Sequence, residues 1–184
     1  MVRIVGISGS LRAGSFNAAL LRAAVELAPE GCEIIEETIH GVPLYDGDLE
    51  AAEGIPPAVT RLKDAVAAAD GLLLVTPEYN NSIPGVFKNA IDWMTRPTGD
   101  IPRVFGGKPV ALIGASPGNF GTILSQNAWL PVLRTLGTDA WFDGRLMVSR
   151  AGSEFVDGRL AGEEARKRLA TYLSGFANYV KART

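Results

Sequence analysis

The stretch that decides the fold is "VRIVGISGSLRAGSFNAALLRAAVELA", residues 2–28. Its first part, "RIVGIS" (3–8), is rich in β-branched residues and predicts a buried strand. Its last part, "SFNAALLRAAVELA" (15–28), spaces apolar residues along one helical face and predicts a helix. Glycines, serines and one arginine lie between them. A strand, a glycine-rich loop and a helix in this order predict the first unit of an α/β sheet.

The rest of the chain continues this alternation. Runs such as "GLLLVT" (71–76) are apolar without alternation, which is typical of parallel strands buried on both faces. Five strands separated by helices predict a single domain over residues 1–184, built as a three-layer α/β/α sandwich. A flavodoxin-like parallel sheet of order 2-1-3-4-5 suits this strand count. Besides the first pair, the predicted strands are 32–39, 71–76, 108–116 and a last one within 139–149, and the predicted helices are 56–70, 84–96, 119–137 and 161–183. A long loop is expected before residue 56, and Pro131 is expected to bend or divide its helix.

The composition excludes several classes of protein. The net charge is −2 without a basic block, so a nucleic-acid surface is not expected. One cysteine, Cys32, and one histidine, His40, rule out an internal disulfide and a His/Cys metal cluster. No run approaches 18 apolar residues and the opening is not typical of a signal peptide, so we expect a cytoplasmic protein without a membrane span. His40 is predicted to be a surface residue of a loop.

The loop after the first strand has the chemistry of a phosphate site. In a parallel sheet, ligands bind beyond the carboxyl ends of the strands. Gly9 and Gly14 have the spacing of a P-loop, but Ser15 and Phe16 stand where a P-loop needs Lys and Ser or Thr. Serine hydroxyls, an amide and the Arg12 guanidinium beside a helix N-terminus suit one terminal phosphate better than a triphosphate. The alternative is a loop that only connects strand to helix.

Two further loops follow the third and fourth predicted strands. "TPEYNNSIPG" (76–85) combines amide groups, backbone N–H groups and an aromatic ring, which would suit a flat heteroaromatic ligand. "ASPGNFGT" (115–122) would form another wall of the same cleft. Each loop alone is explained almost as well by turn formation. Their expected position beside the first loop favours a shared site.

Three segments resemble one known family. "GSLRAGSFN" (9–17), "TPEYNNSIPGVFKNAIDWMTR" (76–96) and "VPLYDGD" (42–48) resemble the NADPH-dependent FMN reductase family, nearest to its chromate and quinone reductases. The resemblance implies non-covalent FMN in a flavodoxin-like fold. It also implies ping-pong hydride transfer from NADPH or NADH through FMN to quinones, free flavin, azo compounds or oxidised metal ions such as chromate.

The resemblance also assigns residues. The FMN phosphate would be held by Ser10, Arg12, Ser15, Asn17 and the backbone near Phe16. The isoalloxazine ring would be lined by Pro77, Glu78, Tyr79 and Asn80, with Ser116 near its other edge. No catalytic side chain is expected, because the cofactor carries the chemistry. No metal site is expected either, because no group of Asp and Glu residues has a recognisable ligand spacing.

The resemblance leaves three points open. Asn81 stands where some members have an aromatic residue, so the electron acceptor is undetermined. Family members are dimers or tetramers, and Phe87, Trp93 and Met94 could contribute to a subunit interface or simply to the core. A flavodoxin-like electron carrier that does not oxidise NAD(P)H is the alternative function, although such carriers are usually strongly acidic.

Overall fold

A parallel sheet at the centre of the chain carries the loops of interest. The computed structural model describes all 184 residues. β1 (Val2–Ser8) pairs with β2 (Cys32–Thr38) on one side and with β3 (Gly71–Val75) on the other. β4 (Pro109–Ala115) pairs with β3, and its outer edge pairs with two short strands, β5 (Asp139–Ala140) and β6 (Leu146–Val148). The parallel order β2-β1-β3-β4-β5 confirms the predicted topology.

Helices cover both faces of this sheet. On one face lie α1 (Phe16–Glu26) and α8 (Glu163–Lys181), and on the other lie α3 (Pro57–Ala68), α4 (Gly85–Met94) and α6 (Ile123–Thr135). Shorter elements are α2 (Gly47–Glu53), a 3₁₀ turn (Thr98–Asp100), α5 (Ile101–Val104), α7 (Ala151–Glu154) and a hairpin of β7 (Phe155–Val156) and β8 (Arg159–Leu160). No helix combines the length and the apolar character needed to cross a membrane.

Alternate residues of the central strands enter two separate cores. Ile4 packs on the α1 and α8 side, whereas Ile7 packs on the α3 and α4 side, as side-chain alternation along a strand requires. Phe87, Trp93 and Met94 of α4 are fully buried in the second core. Core packing is therefore the correct interpretation of these three residues, and within this chain they offer no surface to a partner.

The last strand is predicted to lie within residues 139–149, without fixed bounds. The structure splits it into β5 and β6, because the chain leaves the extended path to place Trp141 against α8. The Trp141 ring meets the Tyr172 ring edge-on, with centroids 4.9 Å apart. The backbone at Gly144 lies so close that an added Cβ would be 2.6 Å from the Trp141 ring.

Other departures have local causes. The expected loop before residue 56 contains α2, whose N-terminus is capped by the Asp46 carboxylate. α2 buries no residue, so it has no apolar periodicity to detect. α6 begins at Ile123 rather than 119 and continues through Pro131 without division. The turn of the unpredicted β7–β8 hairpin is Asp157-Gly158, both with positive φ, and Asp-Gly is a known hairpin signal.

Candidate functional site

Three loops lie at the carboxyl ends of β1, β3 and β4, and hydrogen bonds tie these loops or their flanking residues to neighbouring strands and helices. We call residues 9–15 the first loop, 76–84 the second and 116–122 the third. The first loop meets the end of β3 through the Gly9 N–H, which donates to the Val75 carbonyl (2.9 Å). The Asn17 amide, just after the first loop, binds Ala115 just before the third. Glu78 of the second loop reaches the N-terminus of α6.

The first loop packs tightly against the sheet and folds back on itself. A Cβ at Gly9 would lie 2.1 Å from the Phe87 ring, so only glycine allows this approach. Arg12 donates from its guanidinium to the Gly14 carbonyl (2.7 Å) and stands 5.7 Å above the ring centroid of Phe16. The Arg12 side chain is exposed. Its positive charge is therefore available to a ligand beside the helix.

The N-terminus of α1 is capped by Ser15, as its place in the sequence suggested. The Ser15 hydroxyl accepts from the N–H groups of Asn17 and Ala18 (3.2 Å each). Five other N–H groups around this end donate no hydrogen bond within the chain; they belong to Ser10, Leu11, Ala13, Gly14 and Phe16. The Ser8 hydroxyl, at the end of β1, is buried and also has no partner. Free donors, a helix dipole and a guanidinium together suit a phosphate group.

Asn17 has a different position from the other predicted phosphate ligands. Its side chain is buried, donates to the Ala115 carbonyl (2.8 Å) and accepts from the Ala115 N–H (2.9 Å). Both the oxygen and the nitrogen of the amide are thus engaged by β4. The structure makes Asn17 a link between the first and third loops, a role that sequence spacing could not indicate across 98 residues.

Glu78 of the second loop caps α6. The N–H groups of Leu124 and Ser125 donate to its Oε2 atom (2.9 and 3.0 Å), and no side chain caps the helix locally. A carboxylate at a helix N-terminus is favoured by the unpaired N–H groups and by the helix dipole. The carboxylate of Glu78 is therefore directed at the N-terminus of α6. Pro77 before it is buried, whereas Tyr79 after it is about half exposed.

The tip of the second loop is a tight turn. Tyr79 and Ser82 exchange two backbone hydrogen bonds (3.1 Å each) around Asn80 and Asn81, which have φ values of 50° and 63°. These are left-handed conformations that asparagine tolerates better than most residues. The left-handed backbone conformation thus accounts for an asparagine at position 81, whichever electron acceptor the protein uses. Both amide side chains are exposed at the mouth of the site.

A buried polar network supports the second loop from below. The Thr76 hydroxyl is within 2.8 Å of the Ser125 hydroxyl and accepts from the Trp129 indole N–H (3.1 Å). All three side chains are completely buried. Sequence reasoning missed this network, because its members come from β3's end and from α6.

The third loop is fixed by the last residue of β6 and by Arg150 just after it. Ser116 donates from its hydroxyl to the Gly121 carbonyl, and its own N–H donates to the Val148 carbonyl (3.0 Å). Arg150 binds the same loop with its guanidinium, which donates to the Asn119 side chain (3.0 Å). Arg150 also has a positive φ of 50°. It is a charged neighbour of the site that no sequence motif indicated.

The "VPLYDGD" segment packs on α4, beside the second loop. The Trp93 indole donates to the Pro43 carbonyl (2.9 Å), and the Tyr45 hydroxyl donates to Glu50 (3.0 Å). Glu50 also accepts from the Arg96 guanidinium (2.8 Å), which holds the pKa of the Glu50 carboxyl below its ordinary value. The hydrogen bond to Glu50 raises the pKa of Tyr45. This cluster fixes one flank of α4.

The model of the NADPH-dependent FMN reductase family matches residues 2–152, which include all three loops. The chain belongs to this family. The resemblance inferred from the three sequence segments is thereby confirmed. The match ends after the residues that hold the third loop, and the β7–β8 hairpin and α8 lie beyond it.

Similar proteins cover nearly the whole chain. An NAD(P)H-dependent FMN reductase of Pseudomonas aeruginosa is 42% identical over 181 residues, covering 98% of this chain and 96% of its own. A 2-hydroxy-1,4-benzoquinone reductase of Burkholderia sp. is 38% identical over 183 residues, covering 99% and 98%. The structure of FerB, a flavoenzyme NAD(P)H:(acceptor) oxidoreductase of Paracoccus denitrificans, is 35% identical with a TM-score of 0.86, covering 99% and 98%.

Proposed function

We propose that the chain is an FMN-dependent NAD(P)H oxidoreductase that passes two electrons to a small-molecule acceptor. The observation that carries this proposal is the first loop, where free N–H groups and Arg12 meet at a helix N-terminus in a member of this family. FMN ends in one phosphomonoester, which has the charge and size that such a donor set binds. Bound FMN would supply the redox chemistry, accepting a hydride and passing electrons on.

The remaining roles belong to the chain's own residues. The free donors, which include the N–H group of Phe16, would bind the phosphate together with the hydroxyls of Ser10 and Ser15, and Arg12 adds a charge. Asn17 holds the first loop against β4, and we assign it this support rather than direct contact with the phosphate. The second loop, with Pro77, Glu78, Tyr79 and Asn80, would line the flavin ring, and Ser116 would fix the third loop beside it.

Quinones are the acceptor class that the similar proteins favour. One relative is named a 2-hydroxy-1,4-benzoquinone reductase, and a relative of Pseudomonas putida, 36% identical over 175 residues, is named a quinone reductase. Free flavin, azo compounds and chromate remain expectations from the family resemblance. An electron carrier is the competing function, and it would not oxidise NAD(P)H directly.

The spectrum of the purified protein tests the proposal. We expect bands of oxidised flavin in the visible region, their loss on anaerobic addition of NADPH or NADH, and their return when a benzoquinone is added. Failure to bind FMN would defeat the proposal. Bound FMN that NADPH and NADH both leave oxidised would favour the carrier instead.

We also propose a cytoplasmic homodimer or homotetramer. An apolar groove of about 570 Å³ between α6 and residues 141–147 supports the oligomer, because large hydrophobic side chains line it at the surface. Ile123, Leu124, Leu130 and Phe142 are 38–62% exposed there. Patches of this kind often mark interfaces between proteins. Light scattering on the wild type and on a Phe142→Asp variant would test it, and an unchanged mass would exclude this groove as the contact.

A further inference from the structure

The end of β2 touches the first loop through the single histidine of the chain. His40 is exposed, as predicted, but its Nε2 atom is 3.2 Å from the Leu11 carbonyl oxygen. Its Nδ1 atom is 2.6 Å from the Thr38 hydroxyl. A carbonyl oxygen only accepts, so Nε2 carries the proton and donates to it. In the tautomer with the proton on Nε2, Nδ1 accepts from the Thr38 hydroxyl.

The contact fixes one particular peptide group. The Leu11 carbonyl and the Arg12 N–H belong to the same trans peptide and point in opposite directions. The carbonyl accepts from His40, and the N–H donates to the Ser10 hydroxyl (3.3 Å). Both ends of the peptide are thus held. Arg12, whose side chain provides the positive charge of the loop, is the residue immediately after this carbonyl.

The orientation of this peptide matters for an anion. Turning it over would exchange the places of an N–H, which attracts an anion, and a carbonyl oxygen, which repels one. The first loop has free N–H groups on both sides of this peptide, at Ser10, Leu11 and Ala13. The hydrogen bond from His40 therefore keeps the Leu11 carbonyl oxygen, the negative end of this peptide dipole, bound to the imidazole.

Residues at the end of β2 hold His40 in place. Its backbone N–H donates to the Thr38 hydroxyl (3.2 Å), and the Arg61 guanidinium donates to the Thr38 carbonyl (2.9 Å). Arg61 also pairs with Glu37 (3.2 Å). The last residues of β2 thus form a support, fixed by an ion pair, from which the imidazole reaches the first loop.

We propose that His40 is a positioning residue for the phosphate-binding loop, acting through the Leu11 carbonyl. This proposal rests on the assignment of the first loop to the FMN phosphate. It adds that a side chain outside all three loops sets the affinity for the phosphate end of the cofactor. It requires a donor at the Nε2 position and no contact between His40 and FMN.

Two substitutions separate this role from general structural support. In His40→Gln the amide nitrogen stands as many bonds from Cα as Nε2 does, so it can donate to the Leu11 carbonyl. In His40→Asn the amide is one bond shorter and reaches only the position of Nδ1. Each variant would be titrated with FMN and with riboflavin, which lacks the phosphate, using quenching of flavin fluorescence.

We expect the Kd for FMN to rise roughly 3- to 10-fold in His40→Asn, which corresponds to the loss of one hydrogen bond. His40→Gln should stay within about twofold of wild type, because the donor is kept. Affinity for riboflavin should change in neither variant. Thr38→Val, which removes the partner of Nδ1 but keeps the imidazole, should weaken FMN binding less than His40→Asn does.

The outcomes distinguish this inference from the proposed function. Equal FMN affinity in wild type and His40→Asn would overturn the positioning role alone. Equal losses for FMN and riboflavin, or equal losses in the Gln and Asn variants, would also overturn it. A wild-type protein that binds no FMN would instead defeat the proposed function.

Discussion

The link between Asn17 and Ala115 gives the sharpest test of how the site is held together. The two hydrogen bonds, at 2.8 and 2.9 Å, are buried and join α1 to the end of β4. Asn17→Ala would remove both and leave the Ala115 N–H and carbonyl groups without partners. Each unpaired buried polar group costs about 1–3 kcal/mol, so for two groups we expect the free energy of unfolding to fall by about 2–6 kcal/mol. That is a large part of a typical domain's stability of about 5–15 kcal/mol.

Asn17→Asp refines the test, because it keeps the shape and changes only the donor. The carboxylate can still accept from the Ala115 N–H, but its other oxygen would face the Ala115 carbonyl. Only the protonated acid can donate there, so folding should raise the pKa of the new side chain above its ordinary value of about 3.9. A raised pKa in the folded state means that stability is retained below about pH 4 and lost as the pH rises through the raised value.

Urea unfolding of the protein without FMN, followed by tryptophan fluorescence between about pH 4 and 8, would measure both effects. Asn178→Ala is a matched control, because Asn178 is exposed and its side chain makes no hydrogen bond. It should change stability by less than about 0.5 kcal/mol. Asn17→Ala with wild-type stability, or Asn17→Asp with a deficit that does not grow with pH, would refute the reasoning. If Asn17→Ala lost FMN affinity without losing stability, Asn17 would be a phosphate ligand, as the family resemblance implied.

Three further predictions concern other parts of the chain. Arg12→Ala should weaken FMN binding about 10- to 100-fold, the equivalent of one charged hydrogen bond, and should leave the circular dichroism spectrum unchanged. Arg134→Ala, at an exposed arginine elsewhere, should bind FMN like wild type, and equal FMN affinities for the two variants would contradict the assignment of the first loop to the phosphate. Gly9→Ala should lower the free energy of unfolding in urea by about 1–3 kcal/mol, because the added Cβ would overlap a buried ring of α4. The added Cβ of Gly14→Ala meets no atom within 4 Å, so this variant should have wild-type stability, and identical unfolding midpoints for the two variants would contradict the close approach at Gly9. Hydrogen bonds from Arg103 and Lys63 hold the pKa of Asp100 well below its usual range, so the contribution of Asp100 to stability is complete above about pH 4 and is lost as the pH falls. Asp100→Asn should therefore lose less stability on acidification than wild type, which unfolding midpoints measured at decreasing pH would test.

Prediction from sequence succeeded where the signal was local. The strand-to-helix alternation was readable because apolar residues repeat with the period of each element. Ser15 as the cap of α1 was also readable, since a cap and its helix are adjacent. It placed the last strand within residues 139–149 but could not give its bounds, because packing of Trp141 on α8 interrupts the extended chain there. It also missed α2, which buries nothing and so leaves no periodic trace.

By itself, the sequence determined the α/β class, the three loops that carry polar groups and the family to which the chain belongs. These depend on spacing over a few residues. Only the tertiary structure decided the partner of each polar side chain: Asn17 binds β4, Glu78 caps α6, and His40 holds the Leu11 carbonyl. The physical reason is that a hydrogen bond needs two groups within about 3 Å. Strands distant in sequence reach that distance only when the sheet order places their ends side by side.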